Sequence, residues 1–264
     1  MLPFDNIEGF ENVSPAIQWA IVIVGGLLIL VALFAVIVEI VLFFKYIKYN
    51  RTMNSAGING EEVARRMLDE NGLQHIKVSV KGSFLFGNSY SHYFKKIRLR
   101  RRTIKKNSIS SLAMGAQKVG LAVLDKEGDK DMKTRIALTP LIYFGPIAFI
   151  PLIAVGVIAD IIFFNFSGVV SIISVAASLA FYLLSFILSI MVLKTEVKAQ
   201  KRCLELLKQE NLANDQEIEM MKSLFKLYNI EYINDIIIEL LQMILRILEI
   251  VAKIQASSSS SSNS

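Results

Sequence analysis

Two long apolar runs constrain this chain more than any other feature of its sequence. Residues 20–38 contain no charged side chain, and residues 136–193 contain only Asp160. A helix needs about 20 apolar residues to cross the hydrocarbon core of a bilayer. The first run is therefore long enough for one membrane-spanning helix, and the second is long enough for a hairpin of two. We predict a mainly α-helical membrane protein.

A third apolar segment, residues 229–256, brings the predicted number of hydrophobic helices to between three and four. Its polar side chains recur every three or four residues and so lie on one narrow helix face. Such a helix can cross the membrane, lie in its interface or join an oligomer, and the sequence leaves these alternatives open. The polar face consists of Glu231, Asp235, Glu239, Gln242, Arg246, Glu249 and Lys253.

The distribution of charge predicts an orientation. Residues 1–16 carry three acidic and no basic side chains, whereas residues 45–135 carry 20 Lys or Arg against 8 Asp or Glu. Lys and Arg close to membrane spans face the cytoplasm. We therefore expect a multi-pass protein of the plasma membrane with its N-terminus outside and residues 45–135 in the cytoplasm.

The basic excess also indicates partners. Attraction to anionic lipid accounts for it, so the bilayer is the first partner that we expect. Nucleic acid is the weaker alternative, because the basic run at residues 95–106 lacks the interleaved aromatic side chains on which bases stack.

A small α+β portion is predicted between the first span and the hairpin. Asn59 is the expected N-cap of a helix that Gly72 closes. Alternating apolar and polar residues predict strands at 76–80 and 97–99, with residues 82–92 as a connecting loop.

A second helix is predicted at residues 108–124, with Asn107 or Ser108 as its N-cap. The residues alone offer no catalytic constellation, since the chain has neither a phosphate-binding loop nor a nucleophile elbow. The two histidines, His75 and His92, are expected to be surface residues, and the single Cys203 excludes an internal disulfide.

Residues 54–73 read Asn-Ser-Ala-Gly-Ile-Asn-Gly-Glu-Glu-Val-Ala-Arg-Arg-Met-Leu-Asp-Glu-Asn-Gly-Leu. This stretch resembles the segment after the first span in a family of bacterial membrane zinc metallopeptidases of the HExxH type. The order of elements over roughly residues 20–254 is also similar to that of the family. The resemblance implies that the α+β portion is zincin-like.

The same resemblance assigns an active-site helix that has lost its reactive side chains. The family motif is Ala-His-Glu-Val-Gly-His-Ala, in which two His bind zinc and the Glu activates a water molecule. Residues 116–122 here read Ala-Gln-Lys-Val-Gly-Leu-Ala. Gln117 and Leu121 thus replace the two His, and Lys118 replaces the Glu. The Asp-His-Tyr segment of the family is likewise altered, to residues 88–90.

The resemblance further implies that Glu196, followed by Ala199, occupies the position of the third zinc ligand. One carboxylate cannot hold catalytic zinc, which needs about three protein ligands. We therefore expect no catalytic residue and no bound zinc. We also expect Lys118 to form a salt bridge with Glu196, because a buried carboxylate without a partner is costly.

Three functions remain open at this point. The first is an inactive, protease-like scaffold that binds other membrane proteins, such as a membrane protease or its clients. The second is an active peptidase with displaced ligands, which would need His75, His92 and Glu196 in one place. The third is a structural subunit of a membrane complex, and a homo-oligomer is compatible with all three.

These expectations divide the chain into seven segments. They are an exterior arm (1–16), a transmembrane helix (17–44), a cytoplasmic basic zincin-like segment (45–135), a transmembrane hairpin (136–193), cytoplasmic helices (194–228), the apolar striped helix (229–256) and a disordered Ser-rich tail (257–264).

Overall fold

A computed structural model describes residues 13–81, 87–163 and 169–260. These residues are mostly helical and contain one small sheet. In chain order the elements are α1 (Pro15–Arg51), α2 (Gly60–Glu70), β1 (Lys77–Lys81), β2 (Ser89–Ser91), β3 (Lys96–Arg100), α3 (Arg101–Lys105), α4 (Ile109–Glu127), α5 (Lys130–Phe163), α6 (Val169–Gln209) and α7 (Asp215–Ser260).

The helix ends follow local capping rules. The Asn59 side chain accepts hydrogen bonds from the backbone of Glu61 and Glu62, and Glu62 returns one to the Asn59 backbone, which completes a capping box. Gly72 follows α2 with a φ of 64°, in the left-handed region that glycine adopts without strain. Of the two predicted caps of α4, Ser108 serves as the N-cap, and it accepts from the Ser111 backbone N–H.

The sheet has the strand order β1-β3-β2, with β1 parallel and β2 antiparallel to β3. The predicted strands at 76–80 and 97–99 correspond to β1 and β3. The expected loop at 82–92 is wrong at residues 89–91, which form β2, while residues 82–86 lie outside the described residues. Three residues are too few to show alternation, so only pairing with β3 makes this segment a strand.

Two predicted segment boundaries fall inside continuous helices, and the predicted division itself stays a prediction. Helix α6 continues through residues 193 and 194, and α7 continues through residues 228 and 229. A change from apolar to charged side chains does not end a helix in the absence of a breaker, because each added residue gains a backbone hydrogen bond. For the same reason α7 reaches Ser260, within the tail expected to be disordered.

The chain divides into two compact units. The larger one is Ile40–Ile230, and α4 runs through its centre with every residue from Ile109 to Leu124 buried. Its core joins side chains of α2, β3, α4, α6 and α7, including Val63, Met67, Ile97, Leu99, Leu112, Val119, Leu207 and Met221. The smaller unit is formed by the described parts of Met1–Glu39 and Glu231–Ser264.

Two helices in the described part of the chain are long and apolar enough to cross a membrane, Pro15–Arg51 and Ile172–Gln209. A shorter apolar helical stretch covers Pro151–Phe163. Most apolar side chains of α1 are exposed, among them Leu30 and Phe44, as expected of a helix that faces lipid. The third and fourth hydrophobic spans remain predictions.

Candidate functional site

Helix α4 carries the positions predicted to correspond to the metallopeptidase motif. Gln117, Lys118 and Leu121 are all buried, with 7%, 8% and 2% of their surface exposed. Positions 117 and 121 are four residues apart and therefore share one face of the helix. That face points at α6, where Glu196 lies.

Glu196 is the centre of a polar cluster. Its Oε2 atom accepts a hydrogen bond of 2.9 Å from Gln117 Nε2 and lies 3.1 Å from the Lys118 ammonium. Its Oε1 atom lies 2.8 Å from the Arg135 guanidinium. Three of the four predicted site residues are thus brought together around a single carboxylate.

Arg135 was not predicted as a site residue. It lies in the second turn of α5, and it also donates a 2.8 Å hydrogen bond to the hydroxyl of Thr195. The only signal in the sequence is its position as the last basic residue before a long apolar run. That signal alone does not distinguish a site residue from an interfacial anchor.

The electrostatics of Glu196 follow from these neighbours. Burial alone would raise the pKa of its carboxyl group, but the nearby cations of Lys118 and Arg135 and the hydrogen bonds from both lower that pKa to about 2. Glu196 lies beyond Leu193, where the apolar run of α6 ends. The carboxylate is therefore charged at neutral pH, and two cations surround it.

Leu121 faces a different environment from the other two motif positions. It packs in a small apolar cluster with Leu124, Met132 and Ala199. At the neighbouring Gly120, a Cβ atom would lie 2.4 Å from the Ala199 carbonyl oxygen. The glycine of the motif thus lets α4 and α6 approach closely, and this approach brings positions 117 and 118 to Glu196.

The residues present do not fit a zinc ion. Zinc needs about three nitrogen, sulfur or oxygen ligands from the protein. Here Leu121 has no donor atom, Lys118 is a cation, and the Glu196 carboxylate is already bridged to two cations. Among the described residues, no group of three or more His, Cys, Asp or Glu side chains could hold a metal ion.

The two histidines lie on other elements. His75 is exposed just before β1. His92 follows β2, and its Nδ1 atom lies 2.6 Å from the Asp125 carboxylate near the C-terminal end of α4. The same carboxylate oxygen accepts a 2.5 Å hydrogen bond from the Tyr90 hydroxyl, whose pKa is raised by burial and by this bond.

The His92–Asp125–Tyr90 cluster was not predicted. Tyr90 is the last residue of the altered Asp-His-Tyr segment, and Asn88 begins it. The Asn88 side chain accepts a 2.7 Å hydrogen bond from the Arg100 backbone N–H. This segment therefore holds the edge of the sheet to β3 and α4.

Helix α4 thus crosses α6, which carries Glu196, beside a small sheet. The model of the family described as "Putative neutral zinc metallopeptidase" matches residues 23–251, and the chain belongs to this family.

A relative from Bacillus subtilis (strain 168), "Putative membrane protease YugP", is 31% identical over 98 residues. That match covers 37% of this chain and 43% of the relative. The chain therefore aligns with less than half of the length of this curated relative. No solved structure matches the chain significantly.

Proposed function

We propose that this protein is a catalytically inactive member of the zinc metallopeptidase family that serves as a protein-binding scaffold or subunit in the membrane. The observation that carries the proposal is the pairing of Glu196 with both Lys118 and Arg135. Lys118 stands at the position that the family motif gives to the general base. A cation there would repel a metal ion and cannot take a proton from water.

Retention of the scaffold favours a binding function over gradual loss of all function. Removing a zinc ion and its ligands from a buried site leaves an unpaired carboxylate, which destabilises the fold unless a cation replaces the metal. Lys118 and Arg135 supply that charge, and Gly120 keeps the close crossing of α4 and α6. A fold maintained in this way retains the small sheet that packs beside α4.

The partner is proposed to be a polypeptide that adds to the sheet. Strand β2 is an outer strand that pairs only with β3 in the described chain, and Tyr90 holds it against α4. An outer strand can bind an extended peptide through backbone hydrogen bonds, which requires no metal. The proposed partners are other membrane proteins, including a membrane protease or its clients.

The proposed location is the plasma membrane, with several spans, an exterior N-terminus and residues 45–135 in the cytoplasm. The two apolar helices and the membrane relative support a membrane location. The proposal that α5 and α6 form a membrane hairpin rests on the apolar run of residues 136–193. The proposed orientation rests on the positive-inside distribution of charge.

The first test is the metal content of the protein purified in detergent, with Glu196→Ala as the control. Zinc near zero in both proteins is the expected result. Stoichiometric zinc that Glu196→Ala abolishes would overturn the proposal and would make His75 and His92 candidate ligands of an active peptidase.

The second test concerns the outer edge of β2. A photo-crosslinking amino acid at Ser89 on β2 is expected to capture a defined protein in cells. The matched control is the same amino acid at the exposed Glu61 on α2, where no such adduct is expected. Equal labelling at both positions, or none at either, would contradict binding at the β2 edge.

A further inference from the structure

The turn between β2 and β3 exposes two aromatic side chains. Tyr93 and Phe94 have 62% and 72% of their surface exposed, and Lys95 in the same turn has a φ of 42°. Contact with water does not stabilise two adjacent aromatic side chains at the tip of a hairpin. Tyr and Trp are, however, the residues that proteins place at the boundary between lipid and water.

A hydrogen bond fixes the position of this tip relative to α5. The Tyr93 hydroxyl donates to the backbone carbonyl of Ile136 at 3.1 Å. Ile136 is the first residue of the apolar run that begins the hairpin, and Arg135 immediately precedes it. The aromatic ring therefore lies at the level where α5 changes from charged to apolar.

Helix α6 changes in character at the same level. Its apolar run ends at Leu193, and the next two residues contact the start of α5. Lys194 Nζ lies 3.0 Å from Asp131, and Thr195 accepts the hydrogen bond from Arg135. The two helices thus define one boundary plane, and the tip of the β2–β3 turn lies at it.

The charges around the tip match an anionic surface. Lys95, Lys96 and Arg98 follow the aromatic pair, and the Arg98 guanidinium lies 5.8 Å from the centre of the Phe94 ring. Asp125, which contacts this turn, is only 10% exposed; it is engaged by His92 and Tyr90, and its carboxylate lies 3.8 Å from the Lys95 ammonium. An aromatic tip followed by the partly exposed Lys95, Lys96 and Arg98 carries a local excess of positive charge, which is complementary to anionic headgroups above an apolar layer.

We infer that the β2–β3 tip, Tyr93 to Arg98, inserts its aromatic rings into the headgroup region of an anionic leaflet. The tip would hold the sheet against the membrane surface. The inference rests on the proposed placement of α5 and α6 in the membrane. Its ligand is lipid, and a bound polypeptide at the tip is the alternative that the test separates.

Tryptophan fluorescence in vesicles provides the test, because Trp19 is the only tryptophan of the chain. The full-length protein carrying Trp19→Phe and Phe94→Trp is reconstituted with phosphatidylglycerol whose acyl chains are brominated near the headgroup. Bromine quenches only a nearby indole. The matched control carries Trp19→Phe and His75→Trp. His75 is exposed and lies just before β1, the outer strand at the other edge of the sheet from β2.

The expected result is at least a twofold loss of emission at position 94, with a blue-shifted maximum, and little quenching at position 75. Quenching at position 94 should fall in vesicles of zwitterionic phosphatidylcholine whose acyl chains are brominated at the same positions. Absence of quenching at position 94, or equal quenching at both positions, would overturn the inference. So would quenching at position 94 that is the same in both lipids, because the cations would then have no role.

Wild-type Trp19 separates this failure from failure of the membrane placement. Trp19 lies in α1 and is half exposed, so bromine in the acyl chains should quench it if α1 spans the bilayer. Quenching of Trp19 without quenching at position 94 would refute the docking of the tip alone. No quenching at either position would refute the membrane placement together with the inference.

Discussion

The ammonium group of Lys118 lies 3.1 Å from the Glu196 carboxylate, although 78 residues separate them in the chain. The family resemblance predicts that Lys118 occupies the position of the motif glutamate and Glu196 that of the third zinc ligand. On that assignment, we propose that a protein charge takes the place of the metal charge. Three consequences of this pair, and one of the helix crossing that creates it, can be measured.

Lys118→Met should destabilise the folded protein by about 1–3 kcal/mol, because a nearly buried carboxylate loses one of its two cations while Arg135 remains. The measurement is the midpoint of thermal unfolding in detergent. Adding Glu196→Leu to Lys118→Met should cost less stability than Glu196→Leu costs alone, because the Lys118 pair is already lost and only the Arg135 pair remains to be broken. A double variant that is less stable than the sum of the two single variants would contradict the pairing.

Stability should depend on pH through Glu196. Its pKa in the folded protein is lowered to about 2 from a usual value of 4.5, so the unfolded chain takes up a proton at a higher pH than the folded one. The stabilisation is complete above about pH 5 and is lost as the pH falls toward 2. Unfolding midpoints measured between pH 7 and pH 3 should decline, and Glu196→Gln should flatten that decline.

The triple substitution Gln117→His, Lys118→Glu and Leu121→His should restore zinc binding. Gln117 already reaches the Glu196 carboxylate at 2.9 Å, and position 121 lies one turn further on the same helix. Elemental analysis should give close to one zinc per chain. The control adds Glu196→Ala and should lose most of the metal. A folded triple variant without zinc would show that the three positions do not converge as a zincin site requires.

Gly120→Ala should destabilise the protein by about 1–3 kcal/mol, because the new Cβ would lie 2.4 Å from the Ala199 carbonyl oxygen and would push α4 and α6 apart. The matched control is Gly25→Ala in α1, where a Cβ would meet no described atom within 4 Å. Alanine at that position should be neutral or stabilising, since it favours a helix over glycine. Equal unfolding midpoints for both variants would contradict the close crossing.

Patterns local in the chain determined part of this protein on their own. The Asn59 and Ser108 caps, the glycine after α2 and the apolar runs depend on neighbouring residues or on composition, so they can be predicted without a fold. The replaced motif at residues 116–122 and the glutamate at position 196 could be identified from the family resemblance. Together they also suggested that Lys118 would meet Glu196.

Tertiary structure alone decided the rest. Contacts between distant segments make Arg135 the second cation beside Glu196 and make Asp125 the partner of His92 and Tyr90. They also make β2 a strand. No local periodicity encodes such contacts. The uninterrupted α6 and α7 likewise continue across a change from apolar to charged residues, which composition alone does not reveal. Composition determines which solvent a helix meets, whereas its ends depend on backbone hydrogen bonding and its partners on the packing of the whole chain.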